Sequence, residues 1–329
     1  MNLIKTEYYE YYKPKKLDIN IKREIYQCNL INQLIQNKII TFDELLLSTN
    51  TIDFDHNIIP YIEKHKKLLE KYRNQTKKIK DDYEINVINR KDIIILTCKT
   101  YDIFKITKKL YNKIKSQMIY KTKYLNEILY ILFLRYKTFG LLNGHLGSIP
   151  SKIYNKLIDK DLQLEMFGSL FNHTSKYYCG LFVDLEYIFG CVGNFYNVKF
   201  KKGLYLANPP FDINVINNLN NYLLNKINKN CDIIVVLPVW TVEFRKELNK
   251  ICKNKLLTDY ETDVNTKKYL NDKYCKYFAM YCKNNFEYEN FLKNKIINYT
   301  ATNIIYLSKK SNKIIEIFNK PDIILKNIK

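Results

Sequence analysis

The stretch GLYLANPPFDINVINNLNNYLLNKINKNCDIIVVLPVW, residues 203–240, decides the fold class of this chain. Its two apolar runs, 203–207 and 231–238, have the length and the continuous apolar character of strands that are buried on both faces. Between them, apolar residues recur at helical spacing after Asp212, a residue type that caps helices. Strand, helix and strand predict a parallel βαβ unit. With further strands near 276–282 and 302–308, they predict an α/β sheet of doubly wound type.

The residues before this sheet have a different character and predict a second domain. Apolar residues at helical spacing predict helices over 56–80, 101–118 and 124–140. YEINVINRKDIIILTCKT, residues 83–100, predicts a small hairpin around Asn89 to Asp92. We therefore expect a mainly helical domain over 1–147 and the sheet domain over 148–329.

The charge balance predicts a polyanionic partner. Lysine and arginine number 54 against 33 aspartate and glutamate residues, so the 329-residue chain has a formal net charge of +21. A nucleic acid is expected ahead of a membrane surface. The longest apolar run, 128–134, is too short to span a bilayer, and the N-terminus lacks a signal-peptide core. We expect a soluble, intracellular protein of the cytoplasm or nucleus.

The cysteines and histidines favour neither a disulfide framework nor a metal site. The eight cysteines show no CxxC spacing and are predicted to be reduced core thiols. The four histidines form no HxxxH pattern and no cluster with cysteine, so no metal ion is expected.

The bend Asn208-Pro209-Pro210-Phe211 lies at the carboxyl end of the first predicted strand, where α/β sheets hold their ligands. Two successive prolines make this turn stiff and extended. The Asn208 amide oxygen and the Pro209 carbonyl would face the two N–H bonds of an exocyclic amine, and Phe211 would stack on the base. This arrangement favours methylation of a purine amino group from an activated donor, since positioning supplies much of the rate. The same residues also fit a rigid strand-to-helix turn without chemistry.

Other stretches accompany the bend in a fixed order over residues 85–310. They are INVINRKDIIILTCKTYDIFKITKKLY (85–111), LRYKTFG (134–140), LEMFGSLFN (164–172), EYIFGCVGNF (186–195) and IIVVLPVW (233–240). Together with the bend they resemble the cap-specific adenosine N6-methyltransferases. That family includes the animal phosphorylated-CTD-interacting factor and relatives in large DNA viruses.

The resemblance implies a reaction, a cofactor and a partner. The reaction is methylation at N6 of the first transcribed adenosine beside an mRNA cap, with S-adenosyl-L-methionine as cofactor and capped RNA as partner. A Rossmann-like domain would carry it out, packed on a helical domain that binds RNA or the cap. We expect a member from a large DNA virus, acting in the host cytoplasm or the virion.

The resemblance also assigns roles by position. The residues that fall where the cofactor would lie are Phe167, Gly168, Ser169, Asn172, Phe189, Gly190 and Asn208. Asp184 or Glu186 is the candidate for the ribose hydroxyls. Leu170-Phe171 stands where the family has proline and Cys191 where it has serine.

Four further residues are candidates for contacts with RNA. Trp240 would line the crevice beyond the sheet, and its alternative is a core aromatic role. Arg245 would contact a phosphate or face solvent. Arg135 and Tyr136 would reach the cap or triphosphate, although an arginine near a helix end is commonly structural. With Trp240 as its single tryptophan, the chain has no WW module, so recruitment to polymerase through one is not expected.

Two other functions compete with this one. A DNA adenine methyltransferase would use the same bend but must flip its base from a duplex, and no target-recognition domain is evident. A non-catalytic RNA-binding subunit would keep the fold. Intact Asn208 to Phe211 argues against it.

Overall fold

A computed structural model describes residues 3–5, 9–12, 17, 19–36, 74, 82–99, 101–142, 146–225, 230–251, 265–309, 315–318 and 321–327. The helix predicted over 56–80 lies, apart from residue 74, outside them. The chain divides into two compact units. The first unit comprises Met1–Ile4, Tyr12–Leu146 and Gly180–Asn197, and the second Lys5–Tyr11, Gly147–Cys179 and Val198–Lys329. The chain therefore passes into the second unit next to the expected boundary at 147/148, and residues 180–197 return to the first.

The described residues form fourteen β-strands and eight α-helices. The strands are β1 (Leu3–Lys5), β2 (Tyr9–Tyr12), β3 (Asn86–Asn89), β4 (Ile93–Thr97), β5 (Phe104–Thr107), β6 (Leu162–Glu165), β7 (Lys199–Phe200), β8 (Gly203–Ala207), β9 (Cys231–Pro238), β10 (Cys275–Tyr281), β11 (Tyr288–Asn290), β12 (Lys295–Ile297), β13 (Thr302–Leu307) and β14 (Ile323–Asn327). The helices are α1 (Ile21–Gln36), α2 (Lys108–Gln117), α3 (Leu125–Thr138), α4 (Ser151–Ile158), α5 (Val183–Glu186), α6 (Ile213–Asn225), α7 (Val242–Ile251) and α8 (Lys268–Asn271).

The second unit is built on a six-stranded sheet of order β14-β10-β13-β9-β8-β6. Strands β6, β8 and β9 are parallel, whereas β13, β10 and β14 pair antiparallel. Strands β10 and β13 are joined through the short β11–β12 pair rather than through a helix, and parallel pairing would need a longer crossover. The chain is thus α/β as predicted, with a mixed sheet whose parallel part is three strands.

The β8-α6-β9 segment is the parallel unit that the sequence predicts, and the prediction is confirmed. The pairing runs in parallel register from Gly203 and Cys231 to Ala207 and Val235. The Asp212 Oδ1 atom accepts from the backbone N–H groups of Asn214 at 2.9 Å and Val215 at 3.0 Å, so Asp212 caps α6. Strands β6, β8 and β9 all end at one edge of the sheet, called the carboxyl edge below.

A buried core fixes the strands that lead to this edge. Alternate residues of β8 and β9, among them Leu206 and Val236, pack on one face of the sheet with Tyr154 and Leu157 of α4. Phe211 and Tyr299 pack partly buried against the same core. The carboxyl edge therefore sits on close-packed, rigid elements.

The first unit contains a three-stranded antiparallel sheet, β3-β4-β5, and helices α1, α2 and α3. The β3–β4 hairpin confirms the prediction around Asn89 to Asp92. The prediction of a helix from residue 101 is wrong at its start, since β5 occupies Phe104–Thr107 and α2 begins at Lys108. Phe104 and Ile106 are buried while Lys105 is exposed, which is the two-residue alternation of a strand.

Cys282 corrects the prediction that all cysteines are reduced, because it is disulfide-bonded. Six other described cysteines, at positions 28, 98, 179, 191, 231 and 275, are buried and not disulfide-bonded. Among the described residues, no helix is both long enough and apolar enough to cross a membrane.

Candidate active site

The bend Asn208 to Phe211 directly follows β8 at the carboxyl edge. The Pro210 carbonyl accepts a hydrogen bond from the Asp212 N–H at 2.8 Å, which leads the chain into α6. The Pro209 carbonyl accepts none from the described residues. The sequence predicts the Pro209 carbonyl as an acceptor for the substrate amine. This carbonyl is the one of the two that accepts no hydrogen bond from the described residues.

The Asn208 amide is held in one orientation. Its Nδ2 donates to the Gly147 carbonyl oxygen at 3.0 Å, and its Oδ1 has no hydrogen-bond partner among the described residues. Asn208 is 6 % exposed, so this oxygen is a buried acceptor for which the described part of the chain supplies no donor. Such a group costs free energy in a folded protein and points to a missing partner.

Gly147 brings Tyr299 next to the Asn208 amide. A Cβ atom added at Gly147 would lie 2.6 Å from Cε2 of Tyr299, so the ring packs directly against the glycine backbone. Any side chain at position 147 would displace this ring. The Gly147 carbonyl orients the Asn208 amide, and the Tyr299 side chain packs against this same glycine.

Aromatic rings surround Phe211 in edge-to-face contact. The ring centroids of Tyr288, Trp240 and Tyr299 lie 5.6, 6.4 and 6.5 Å from that of Phe211. The Tyr288 hydroxyl and the Thr302 Oγ1 atom share a hydrogen bond of 2.8 Å, which fixes the tyrosine. These edge-to-face contacts hold the plane of the half-buried Phe211 ring.

The loop after β6 carries four predicted cofactor residues: Phe167, Gly168, Ser169 and Asn172. Asn172 Oδ1 accepts from the Ser169 N–H at 2.7 Å and from the Ser169 hydroxyl at 2.8 Å. A Cβ atom at Gly168 would lie 2.9 Å from Tyr178, so packing requires glycine there. Phe167 is half-buried. The loop is thus tied down by its own side chains.

Glu165, at the end of β6, places a fully buried carboxylate beside this loop. Its Oε2 accepts from the Thr174 N–H at 3.2 Å. Burial and then this carboxylate raise the pKa of the Tyr154 phenol and of the Cys179 thiol well above their ordinary values. Both groups therefore stay protonated at neutral pH, and Cys179 is no thiolate nucleophile. The Thr174 and Ser175 hydroxyl oxygens are buried without partners among the described residues.

Arg135 lies in the first unit, inside a buried ion-pair network. Its guanidinium donates to both oxygens of Glu24, at 3.0 and 2.6 Å, and to both oxygens of Asp184, at 2.9 and 2.7 Å. Arg135 is 2 % exposed, and the two carboxylates raise its pKa against the effect of burial. Four charge-assisted hydrogen bonds thus tie α1, α3 and α5 together.

Other predicted residues of the first unit are also engaged within it. The Tyr136 hydroxyl donates to Glu186 Oε1 at 2.9 Å, and both side chains are buried. Phe189 is buried, and Gly190 ends its turn at φ +100°, a conformation that favours glycine. The cofactor and RNA roles of these residues, and of Arg135 and Asp184, stay predictions.

A match to a family model shows to which protein family the chain belongs. The model described as "Phosphorylated CTD interacting factor 1 WW domain" matches residues 106–274, a little over half of the chain. The chain belongs to this phosphorylated CTD interacting factor 1 family. No curated protein matches the chain.

All predicted site residues fall inside the stretch that matches the phosphorylated CTD interacting factor 1 family. Gly147 lies inside it too, whereas Tyr288 and Tyr299 lie beyond it. The stretch contains one tryptophan, Trp240, so the family name does not signify a two-tryptophan WW module here.

In this family member, Trp240 follows the end of β9, and Arg245 lies in the next helix, α7. Trp240 is half-buried against Phe211, and Arg245 is 8 % exposed rather than facing solvent. Among the described residues, no group of His, Cys, Asp and Glu side chains could hold a metal ion.

Proposed function

We propose that the chain is an S-adenosylmethionine-dependent methyltransferase that modifies N6 of the cap-adjacent adenosine of mRNA. In this proposal the six-stranded mixed sheet is a Rossmann-like methyltransferase sheet, and the bend at its carboxyl edge is the reaction site. One observation supports it above the others: the Asn208 amide is anchored through Nδ2 at 3.0 Å, while its buried Oδ1 has no donor among the described residues. The assignment to a large DNA virus stays a prediction.

The residues at the carboxyl edge fit a cationic cofactor. Buried acceptors without partners among the described residues are Asn208 Oδ1 and the Thr174 and Ser175 hydroxyl oxygens. Glu165 adds a buried carboxyl group beside the Ser169–Asn172 loop. Acceptors and a carboxylate suit a ligand that brings positive charge and N–H or O–H donors. We infer that Glu165, Ser169, Asn172 and Asn208 hold the cofactor.

When bound, S-adenosylmethionine supplies a methyl group activated on a sulfonium. The protein prepares the acceptor nitrogen, whose lone pair is delocalised into the purine ring. Asn208 Oδ1 and the Pro209 carbonyl accept the two amino hydrogens and favour a pyramidal nitrogen with a directed lone pair. Phe211, held edge-on by Tyr288, Trp240 and Tyr299, stacks on the base.

The bend works by position rather than by a tuned base. Asp212, the adjacent acid, is engaged in capping α6. The nitrogen held by the bend would form its bond to the methyl carbon as the carbon–sulfur bond of the sulfonium breaks, leaving S-adenosylhomocysteine, and would release one proton to solvent. Asn208 is nearly buried, so only a small part of its side chain is open to an incoming base.

Arg135, Tyr136 and Glu186 are left out of this site. Their polar atoms bond to one another or to Glu24 and Asp184 inside the first unit. These bonds stabilise that unit, and the cofactor and RNA roles of the three residues stay predictions.

The test is transfer of labelled methyl to capped oligonucleotides that differ only in their first base. Uncapped RNA and duplex DNA are run beside them at one salt concentration, because affinity for nucleic acid depends on salt. We expect label on the capped, adenosine-initiated RNA, recovered as N6-methyladenosine after digestion. Equal labelling of guanosine-initiated RNA, or preferential labelling of duplex DNA, contradicts the proposal.

A further inference from the structure

The first unit presents two tyrosines and two lysines as one cluster, called the tyrosine–lysine cluster: Lys22, Tyr83, Lys99 and Tyr101. The Tyr83 and Tyr101 rings stack with centroids 5.9 Å apart and an interplanar angle of 27°. Lys99 Nζ lies 3.8 Å and Lys22 Nζ 5.5 Å from the centroid of Tyr83. Tyr101 is 38 % exposed. The cluster therefore offers solvent an aromatic ring with two positive charges close by.

Local contacts hold the cluster in place. Asp82 Oδ1 accepts from the backbone N–H groups of Ile21 and Tyr83, both at 2.7 Å, which fastens Tyr83 to the start of α1. The Tyr101 N–H donates to the Cys98 carbonyl oxygen at 2.9 Å and so closes a turn. Lys99 lies in this turn and has φ +48°. A lysine in the left-handed region is strained, and such strain is commonest at functional sites.

A cavity of about 140 Å³ lies beside Tyr101. Its apolar part is formed by Ile25, Cys28 and Leu134, and the amides of Asn29 and Asn32 line it as well. Lys22, Ile25 and Asn29 follow one another at helical spacing, so they share one side of α1. Asp102 and Lys137, which form an ion pair, and Thr138 also line it, so the cavity combines a ring wall, an apolar lining, two asparagines and an ion pair.

We propose that this cavity and the tyrosine–lysine cluster bind one unstacked base of single-stranded RNA and its flanking phosphates. The base lies against Tyr101, the Asn29 and Asn32 amides meet its edge, and Lys22 and Lys99 contact phosphates. The site is formed by residues of the first unit, whereas the bend belongs to the second, and the proposal gives the site no part in the chemistry of methyl transfer. It rests on the proposed function in one respect, that the ligand is a transcript.

The chemistry favours single-stranded RNA over other polyanions. Sequence-tolerant binding of single strands combines aromatic rings for the bases with cations for the backbone. Duplex nucleic acid keeps its bases stacked and offers the ring no face. The net charge of +21 supplies the long-range attraction but does not require an aromatic ring with a cavity beside it.

Fluorescence anisotropy with a labelled, uncapped single-stranded RNA tests the site in the full chain without cofactor. We expect Tyr101→Ala to raise Kd about tenfold, since stacking on one aromatic ring has that order of effect. We expect Lys99→Ala to lower the slope of log Kd against log salt by about 0.7. Tyr120→Ala is the matched control. Tyr120 is also 38 % exposed, and its ring centroid lies 5.9 Å from that of a second tyrosine, Tyr187.

Unchanged Kd in Tyr101→Ala, an equal loss in Tyr120→Ala, or equally tight binding of duplex RNA overturns the inference. Crosslinking of wild-type protein to RNA with 4-thiouridine gives a readout that does not depend on variant folding. The expected adducts map to 83–101, and adducts confined to other segments contradict the site. Anisotropy measures binding of uncapped RNA without cofactor, whereas the labelled-methyl assay measures transfer to capped RNA, so failure of RNA binding and failure of methyl transfer can be told apart.

Discussion

Asn208 donates through Nδ2 to the Gly147 carbonyl oxygen at 3.0 Å, so a residue 61 positions earlier sets the direction of its amide. This single bond decides which atom of the side chain remains as an acceptor. The Asn208 amide therefore differs from that of an ordinary turn-forming asparagine, whose oxygen would cap the following backbone. In this bend that capping task belongs to Asp212.

Replacement of Phe211 by leucine should weaken RNA use without affecting the cofactor. We expect KM for capped RNA to rise about tenfold, because a base loses its stacking partner. Cofactor affinity should stay at the wild-type value in calorimetry. Phe286→Leu is the control, since Phe286 also meets Tyr288 edge-on, at 5.1 Å, but is buried in the core. Equal KM effects in the two variants would assign Phe211 to packing.

Replacement of Asn172 by alanine should weaken cofactor binding. The Ser169 N–H and hydroxyl lose the acceptor that they meet at 2.7 and 2.8 Å, and the loop after β6 loses its shape. We expect the Kd for S-adenosylmethionine to rise about tenfold in titration calorimetry. Asn20→Ala removes a comparable bond, to the Arg23 N–H at 2.8 Å, and should leave this Kd unchanged. Absence of binding to the wild-type protein would instead favour the non-catalytic alternative.

Removal of the Arg135 charge should destabilise the first unit. Arg135→Met keeps much of the side-chain volume but leaves Glu24 and Asp184 without their cation, which costs about 3–5 kcal/mol in the free energy of unfolding. Lys137→Met breaks the exposed ion pair with Asp102 and should cost less than about 1 kcal/mol. Urea unfolding measures both. Similar small losses in the two variants would mean that the network contributes no more than a surface pair.

Stability should fall at alkaline pH, in part through Cys28. Burial and the Glu24 carboxylate raise the pKa of the Cys28 thiol from 9.0 to about 12. The folded protein therefore holds this proton more tightly than the unfolded chain does. The contribution is complete below pH 9 and is lost as the pH rises toward 12, at about 1.4 kcal/mol per pH unit. Urea unfolding from pH 8 to 11 should show a shallower decline for Cys28→Ala, and parallel curves would refute this.

The sequence predicts the bend and the strands and helix on either side of it, because the residue patterns that indicate them are local. The apolar runs of β8 and β9, the helical spacing of α6 and the Asp212 cap all lie within residues 203–238 and are found as predicted. The boundary between β5 and α2 was harder to predict because Phe104, Ile106 and Leu110 fit a helical period as well as a strand followed by a helix.

The surroundings of the bend depend on pairings between distant segments, which have no local signal. Ser148 and Glu289 exchange backbone hydrogen bonds at 2.9 and 2.8 Å, and this bridge brings Gly147 near Tyr288. Tyr299 reaches the bend through the connection before β13. Arg135 looks like a surface arginine near a helix end until its partner Glu24, 111 residues earlier, is known.

The most direct test of the account compares methyl transfer by Asn208→Ala and Asn303→Ala. Asn303 is a matched asparagine: it is 1 % exposed, donates through Nδ2 to the Pro238 carbonyl at 3.5 Å, and its Oδ1 has no partner among the described residues. On capped, adenosine-initiated RNA we expect kcat to fall about 10²–10³-fold in Asn208→Ala, while Asn303→Ala stays within a few-fold of wild type. Wild-type turnover by a folded Asn208→Ala protein would contradict the central claim that this amide oxygen positions the amine.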